Sequence, residues 1–195
     1  MKKSIYEHLK NFLSFFRKMI SKKSVEDDIW FEKLQSKASK IGARVHLIKI
    51  RIDYTRPYAE SVKAGGPQTN SGSFVFKVAD IYHLPENKIK DEVIVLLNWA
   101  NGYGSYKKAV EWGLSSGLHK TTPYVPFAIG EQFPEINYEI GPNPMYIIET
   151  TGCTFDNCQD CACCVWWYNL NRESDLCLQG CFADLFGGWF AFRKE

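Results

Sequence analysis

Cysteine is absent from the first 152 of the 195 residues, and histidine occurs at only four positions, none after His119. No apolar run approaches the ~20 residues that a membrane-spanning helix needs. Strong net charge is missing too: the formal balance is +2, which by itself gives no ground for a nucleic-acid partner. There is no internal repeat and no heptad pattern, so solenoids, propellers and coiled coils are excluded. A secretory signal is not convincing. Met1-Lys2-Lys3 resembles a basic leader, but Phe12-Leu13-Ser14-Phe15-Phe16 is short and stops at Arg17-Lys18. A cytoplasmic location is the resulting expectation, and there disulfides are rare and clustered thiols more often bind metal or stay reduced.

What is present is ordinary globular material, 45% apolar and 24% charged, which is enough to build one substantial core. Aromatics reach 15%, with six Trp, and favour strands. Charge is unevenly placed. Residues 1–23 hold seven Lys/Arg against Glu7 alone, and the remainder carries 17 basic and 21 acidic residues. The chain thus reads as a basic segment, 1–23, followed by a single domain, 24–195. In the first segment Ile5, Leu9, Phe12, Leu13, Phe16, Met19 and Ile20 share one helical face, with Lys10, Arg17 and Lys18 on the polar remainder. Such a helix fits a membrane surface or a partner's groove, and equally a helix packed on its own domain with a solvated basic face.

A second helix opens at Ser24, with Asp27 as a capping-box variant, acids in its first turn, and Gly42 as its stop. Val25, Ile29, Leu34, Ala38 and Ile41 are its expected buried positions. Residues 45–54 alternate, with Ile48, Ile50, Ile52 and Tyr54 on one face, as a half-buried strand does. Phe74, Phe76 and Val78 predict a second strand after a loop over 64–73. The run from Glu92 to Trp99 predicts a strand covered on both faces. Ser105 caps a helix that Gly117 ends. Five prolines over 121–144 argue against long regular structure there. Strands then follow at Met145–Ile148, Val165–Tyr168 and Trp189–Phe192. Strands grouped rather than alternating with helices predict an α+β fold: a mixed, mainly antiparallel sheet of about six strands, two N-terminal helices and one further helix.

The chemistry-bearing feature is the cysteine window, Cys153 to Cys181, which holds all seven. Cys158-x2-Cys161 and Cys177-x3-Cys181 approximate the paired spacing with which a hairpin brings four thiolates to a structural zinc, with residues 171–175 as the turn. Other readings stay open: small buried side chains, an Fe–S cluster, or disulfides and redox chemistry. If the Val165–Tyr168 strand extends backwards, Cys161 and Cys163 lie on the face opposite Cys164. Gln159 to Trp166 echoes papain-type proteases, but the glycine is missing, Val165 intervenes, and no histidine follows.

A second candidate is Gly102-Tyr103-Gly104-Ser105, where a strand turns into a helix. Gly102, Gly104 and Ser105 could offer backbone N–H groups to an anion, with Lys107 and Lys108 close by, although Lys107 stands where the nucleotide fingerprint has glycine. A tight strand-to-helix connection capped by Ser105 explains the same residues. Tyr54-Thr55-Arg56-Pro57-Tyr58 beside the 64–73 loop suggests a recognition surface. The expected function is therefore a small binding or regulatory module, with a structural zinc as its only foreseen cofactor. The alternative is a small enzyme, thiol-dependent or acting at the Gly102–Ser105 turn. Phe127–Glu131, Asn143–Tyr146, Thr150–Phe155, Val165–Trp167 and Trp189–Lys194 resemble blocks of short, functionally unassigned bacterial proteins. That resemblance covers about the last third of the chain, rests on strands and turns rather than thiols, and implies no activity.

Overall fold

The computed structural model describes residues 26–80, 88–99, 102, 104–140, 145–152, 161–168, 171–178 and 188–195. The chain divides into two compact units, Met1–Ile41 and Gly42–Glu195. The basic segment 1–23 and its boundary at residue 24 lie outside the described residues. Residues 26–39 of the first unit are helical (α1). Leu34 and Ala38 are buried as the periodicity predicts, whereas Ile29 and Ile41 are exposed. Gly42 sits at φ 70°, the left-handed conformation that ends a helix at least cost to glycine.

The second unit is built on a seven-stranded sheet in the order β1-β2-β7-β4-β5-β6, with β3 paired to β7. The strands are β1 (Ala43–Asp53), β2 (Ile89–Trp99), β3 (His119–Lys120), β4 (Met145–Thr150), β5 (Cys161–Tyr168), β6 (Asn171–Leu178) and β7 (Trp189–Arg193). Among the described strands only the β4–β7 pairing is parallel. The fold is α+β with a mixed, mainly antiparallel sheet. Ile48, Ile50, Ile52 and Tyr54 are all buried, as the alternation of β1 requires, and Ile94 to Leu97 on β2 are buried on both faces.

One face of the sheet carries the main core. Ile48, Ile50 and Ile52 of β1 join Ile94 and Leu96 of β2, Trp189 and Ala191 of β7, Ile148 of β4, and Cys163, Val165 and Trp167 of β5. Two short helices cover it, α2 (Tyr58–Gly65) and α4 (Tyr124–Gln132). They approach closely because a Cβ on Gly65 would fall 2.5 Å from Phe127 Cα and one on Gly130 would overlap Gly65 O. On the opposite face α3 (Tyr106–Ser115) lies against β7, where a Cβ on Gly113 would enter the Phe192 ring. Ser105 Oγ caps α3 by accepting from Lys108 N at 3.2 Å, and Gly117 takes φ 80° just beyond the helix.

Several expectations need correction. Besides α3, three short helices flank the sheet: α2, α4 and α5 (Ile136–Ile140). Two of these occupy the proline-rich stretch. Pro126 fits because it stands in the first turn of α4, where N–H groups have no acceptor within the helix. Residues 74–80 form a 3-10 helix, not a strand, burying Val75 and Val78 while Phe74 is 68% exposed. Residues 171–175 belong to β6, and Tyr168 is the register partner of Asn171, so the chain reverses between those two. Tyr54 and Tyr58 form no exposed recognition surface. Both are buried, with ring centroids 5.4 and 5.5 Å from that of Tyr124.

The loop before the 3-10 helix is pinned to the β6 edge. Pro67 bridges to Glu173, Gln68 N donates to Arg172 O (3.2 Å), and Ser174 N donates to Thr69 Oγ1 (2.8 Å).

Candidate functional site

The core face of the sheet is apolar at its centre and polar at both ends. At one end Arg44 Nε donates to Asn98 Oδ1 (2.9 Å), and Asn98 Nδ2 donates to Gly188 O (2.8 Å). The Arg44 guanidinium lies over the Trp189 ring at 4.8 Å, and the His46 imidazole meets the same ring edge-on. Burial lowers the His46 pKa below the ordinary histidine value, partly offset by the Glu139 carboxylate. Arginine, asparagine and tryptophan thus brace one another, with His46 beside them.

At the other end a carboxylate enters the core. Glu92 stands opposite Ile50 in the ladder and is buried. Its Oε1 lies 3.7 Å from Arg193 Nη1 and accepts a long bond from Tyr54 OH (3.5 Å), while Tyr54 OH also meets Thr122 Oγ1 at 3.2 Å. A buried carboxylate is tolerated only with such partners. Arg193 in turn lines a cleft of about 400 Å³ with Lys90, Asp91, Glu92, Val93, Lys194 and Glu195. The Nε of Arg193 is buried and has no hydrogen-bond partner among the described residues. The Arg193 side chain is 40% exposed, so the guanidinium that reaches Glu92 also presents donors at the wall of the cleft.

The end of β7 is held in place by three buried threonines. Thr121 Oγ1 and Thr151 Oγ1 both donate to Ala191 O, at 2.9 and 2.7 Å. Thr121 N donates to Thr151 Oγ1 and Thr151 N to Thr121 Oγ1, each at 3.2 Å. Thr150 Oγ1 donates to Thr121 O at 2.9 Å. Gly152 must be glycine here, since a Cβ would overlap Thr121 O. These bonds tie the segment after β3 to β4 and β7. Next to this network, Thr122 Oγ1 meets the Tyr54 hydroxyl that bonds Glu92.

The residues singled out from sequence fall elsewhere. Cys158 and Cys181 lie outside the described residues. Cys161 is the register partner of Leu178, and Cys177 that of Ala162. Cys163 and Cys164 are buried in β5 and form no disulfide. Cys163 joins the main core, with Sγ 3.4 Å from Tyr58 OH, whereas Cys164 packs with Trp166 in a separate cluster, as alternation requires. Among the described residues no group of three or more His, Cys, Asp or Glu is arranged to hold a metal ion.

Gly102 takes φ 72° and donates its N–H to Trp99 O (3.1 Å). A Cβ on Gly104 would enter the Trp99 ring, and Ser105 is occupied as the helix cap. Each of the three has a structural task at a tight turn. Glu92 and Arg193 were not singled out from sequence. The available signal was parity, since Glu92 shares the inward face of β2 with Ile94 and Leu96. No family model, no curated protein and no solved structure matches this chain. No helix among the described residues is long and apolar enough to cross a membrane.

Proposed function

We propose that this protein is a binding module and that its ligand enters the charged cleft between the ends of β2 and β7. The observation that carries this reading is the Arg193 guanidinium, anchored 3.7 Å from the buried Glu92 carboxylate while its side chain stays 40% exposed at the cleft wall. Around it the rim alternates in sign, Lys90 and Lys194 against Asp91 and Glu195. That arrangement suits a ligand with a carboxylate for Arg193 and a cationic group for the acids, the chemistry of an amino acid or short peptide.

Titrating the full chain with free amino acids and dipeptides, followed by amide chemical shifts, tests it. Shifts should cluster on residues 90–93 and 193–195. They should vanish in Arg193→Gln and weaken in Arg193→Lys, which keeps the charge but loses the planar fork. Shifts that survive Arg193→Gln would overturn the assignment. An enzyme acting at Gly102–Ser105 is less favoured, because those residues already serve the turn and the cap. A structural zinc on Cys158, Cys161, Cys177 and Cys181 is a separate proposal that rests on their spacing. A cytoplasmic location is proposed with it, on the reading that clustered thiols more often bind metal or stay reduced there.

A further inference from the structure

The two edges of the sheet are finished differently. On β6 the outward-facing N–H groups of Arg172, Ser174 and Leu176 are all filled, by Gln68 Oε1 (2.9 Å), Thr69 Oγ1 (2.8 Å) and Asp175 Oδ1 (2.8 Å). On β1 the register with β2 runs unbroken from Ala43 to Asp53, so its parity is fixed. Tyr54 N turns inward to Lys88 O, and Arg51 N turns outward to Gln132 Oε1. Odd-numbered residues of β1 therefore present their main-chain groups to the open side. Arg51 is satisfied twice by one carboxamide, donating to Gln132 Oε1 (3.0 Å) and accepting from Gln132 Nε2 (2.8 Å). Those are the two bonds that the peptide group of an added strand would make. Val45, Leu47 and Lys49 have no such partner among the described residues.

Natural sheets seal, twist or charge their edges to prevent unwanted pairing. Among the described residues one edge is sealed and the other is open over three alternate residues, with Gln132 closing one end. The side chains beside the open stretch are cationic: Arg44, Lys49 and Arg51 are exposed. Asp53 at the far end is held by the N–H of Thr55 (2.9 Å), and that bond with the Thr55 hydroxyl bond lowers its pKa. Val45 and Leu47 lie half-buried between the charges. Two copies of this edge would bring six such cations together, which disfavours self-pairing.

We propose that β1 is a docking edge for an acidic, extended segment of a partner protein, which adds as a strand beside Val45, Leu47 and Lys49 and stops at Gln132. Main-chain bonds would supply affinity, and the Lys49 and Arg51 charges would select an acidic occupant. The proposal is independent of the Arg193 cleft.

The test uses amide hydrogen exchange on the full chain, with capped Glu-Val-Glu-Val-Glu-Val-Glu as probe and the matching Lys-Val peptide as control. The amides of Val45, Leu47 and Lys49 should exchange fast in the free protein and become protected with the acidic probe only. Lys49→Glu/Arg51→Glu should weaken the acidic probe about tenfold and admit the basic one. Leu47→Pro removes an outward N–H without touching a bond to β2, a place where proline is tolerated, and should abolish binding while the protein stays folded. If Leu47→Pro impairs folding, the charge-reversed variant still decides. Overturning results are equal protection by both peptides, no protection at millimolar probe, or amides already protected in the free chain. Protection that rises with protein concentration alone would assign the edge to a second copy and likewise overturn the proposal.

Discussion

Replacing Thr151 with valine keeps the shape of a fully buried side chain and removes only its hydroxyl. That hydroxyl donates to Ala191 O at 2.7 Å and accepts from Thr121 N at 3.2 Å. Ala191 O retains a second donor, Thr121 Oγ1 at 2.9 Å, so its loss is partial. Thr121 N is different: valine leaves it a buried donor with nothing to bond. An orphaned buried group costs about 1–3 kcal/mol. Thr151→Val should therefore destabilise the protein by about 2 kcal/mol and lower Tm by ~4–8 °C, at the 2–4 °C per kcal/mol typical of this chain length. Thr150→Val, which deprives Thr121 O of a donor at 2.9 Å, should cost about 1–2 kcal/mol. Both changes act through Thr121, so the double variant should lose less than the sum, with a coupling of about 0.5–1 kcal/mol. Urea unfolding followed by tryptophan fluorescence measures all three. A Thr151→Val variant within about 0.5 kcal/mol of wild type, or strict additivity in the pair, would refute the shared network.

Two further outcomes are expected. His46 has a folded-state pKa below its unfolded value, so between the two the unfolded chain binds more protons. Its contribution is therefore fully present above the unfolded value of ~6.5 and is lost as pH falls through the window below it. The difference between wild type and His46→Gln in stability-versus-pH curves isolates this term from the other histidines, and parallel curves would remove it. If the four spaced cysteines bind zinc, protein purified without a tag should carry a single zinc ion per chain by elemental analysis. No zinc, with all seven thiols titrating in guanidinium without chelator, would end that proposal.

The strands of this sheet were legible wherever burial followed a simple period. β1 alternates, β2 carries an unbroken apolar run from Val93 to Leu97, and α3 has a capping serine and a terminating glycine; each stands where its pattern predicts. Failure came where a period of two and a period of three compete. Phe74, Phe76 and Val78 alternate like a strand, yet the buried pair is Val75 and Val78, three apart, as in a 3-10 turn. Ser73 Oγ accepts from Val75 N at 3.4 Å and starts that turn locally. β6 was misread for another reason. Asn171 to Asp175 looks like a turn because it is polar, but its polarity serves the edge. Arg172 Nε donates to Gly65 O (2.6 Å) and Ser174 Oγ to Val62 O (2.8 Å), so side-chain bonds take the place of apolar packing.

The same distinction explains why the cysteines dominated the reading and the cleft did not. A cluster of one rare residue type is visible without any fold. Yet in β5 the alternation of the strand divides its neighbours, sending Cys163 to Tyr58 and Cys164 to Trp166, where each packs as a small apolar side chain. Glu92 and Arg193 are 101 positions apart and belong to no motif. They meet because β2 and β7 pair with Ile94 opposite Arg193, which sets Arg193 one inward position from Glu92 on the same face. A charge placed with inward parity in an otherwise apolar strand must find a partner across the ladder, because burial without one costs several kcal/mol. For Glu92 that partner is Arg193, and because its side chain stays partly exposed, the same guanidinium that answers the buried carboxylate also stands at the wall of the cleft.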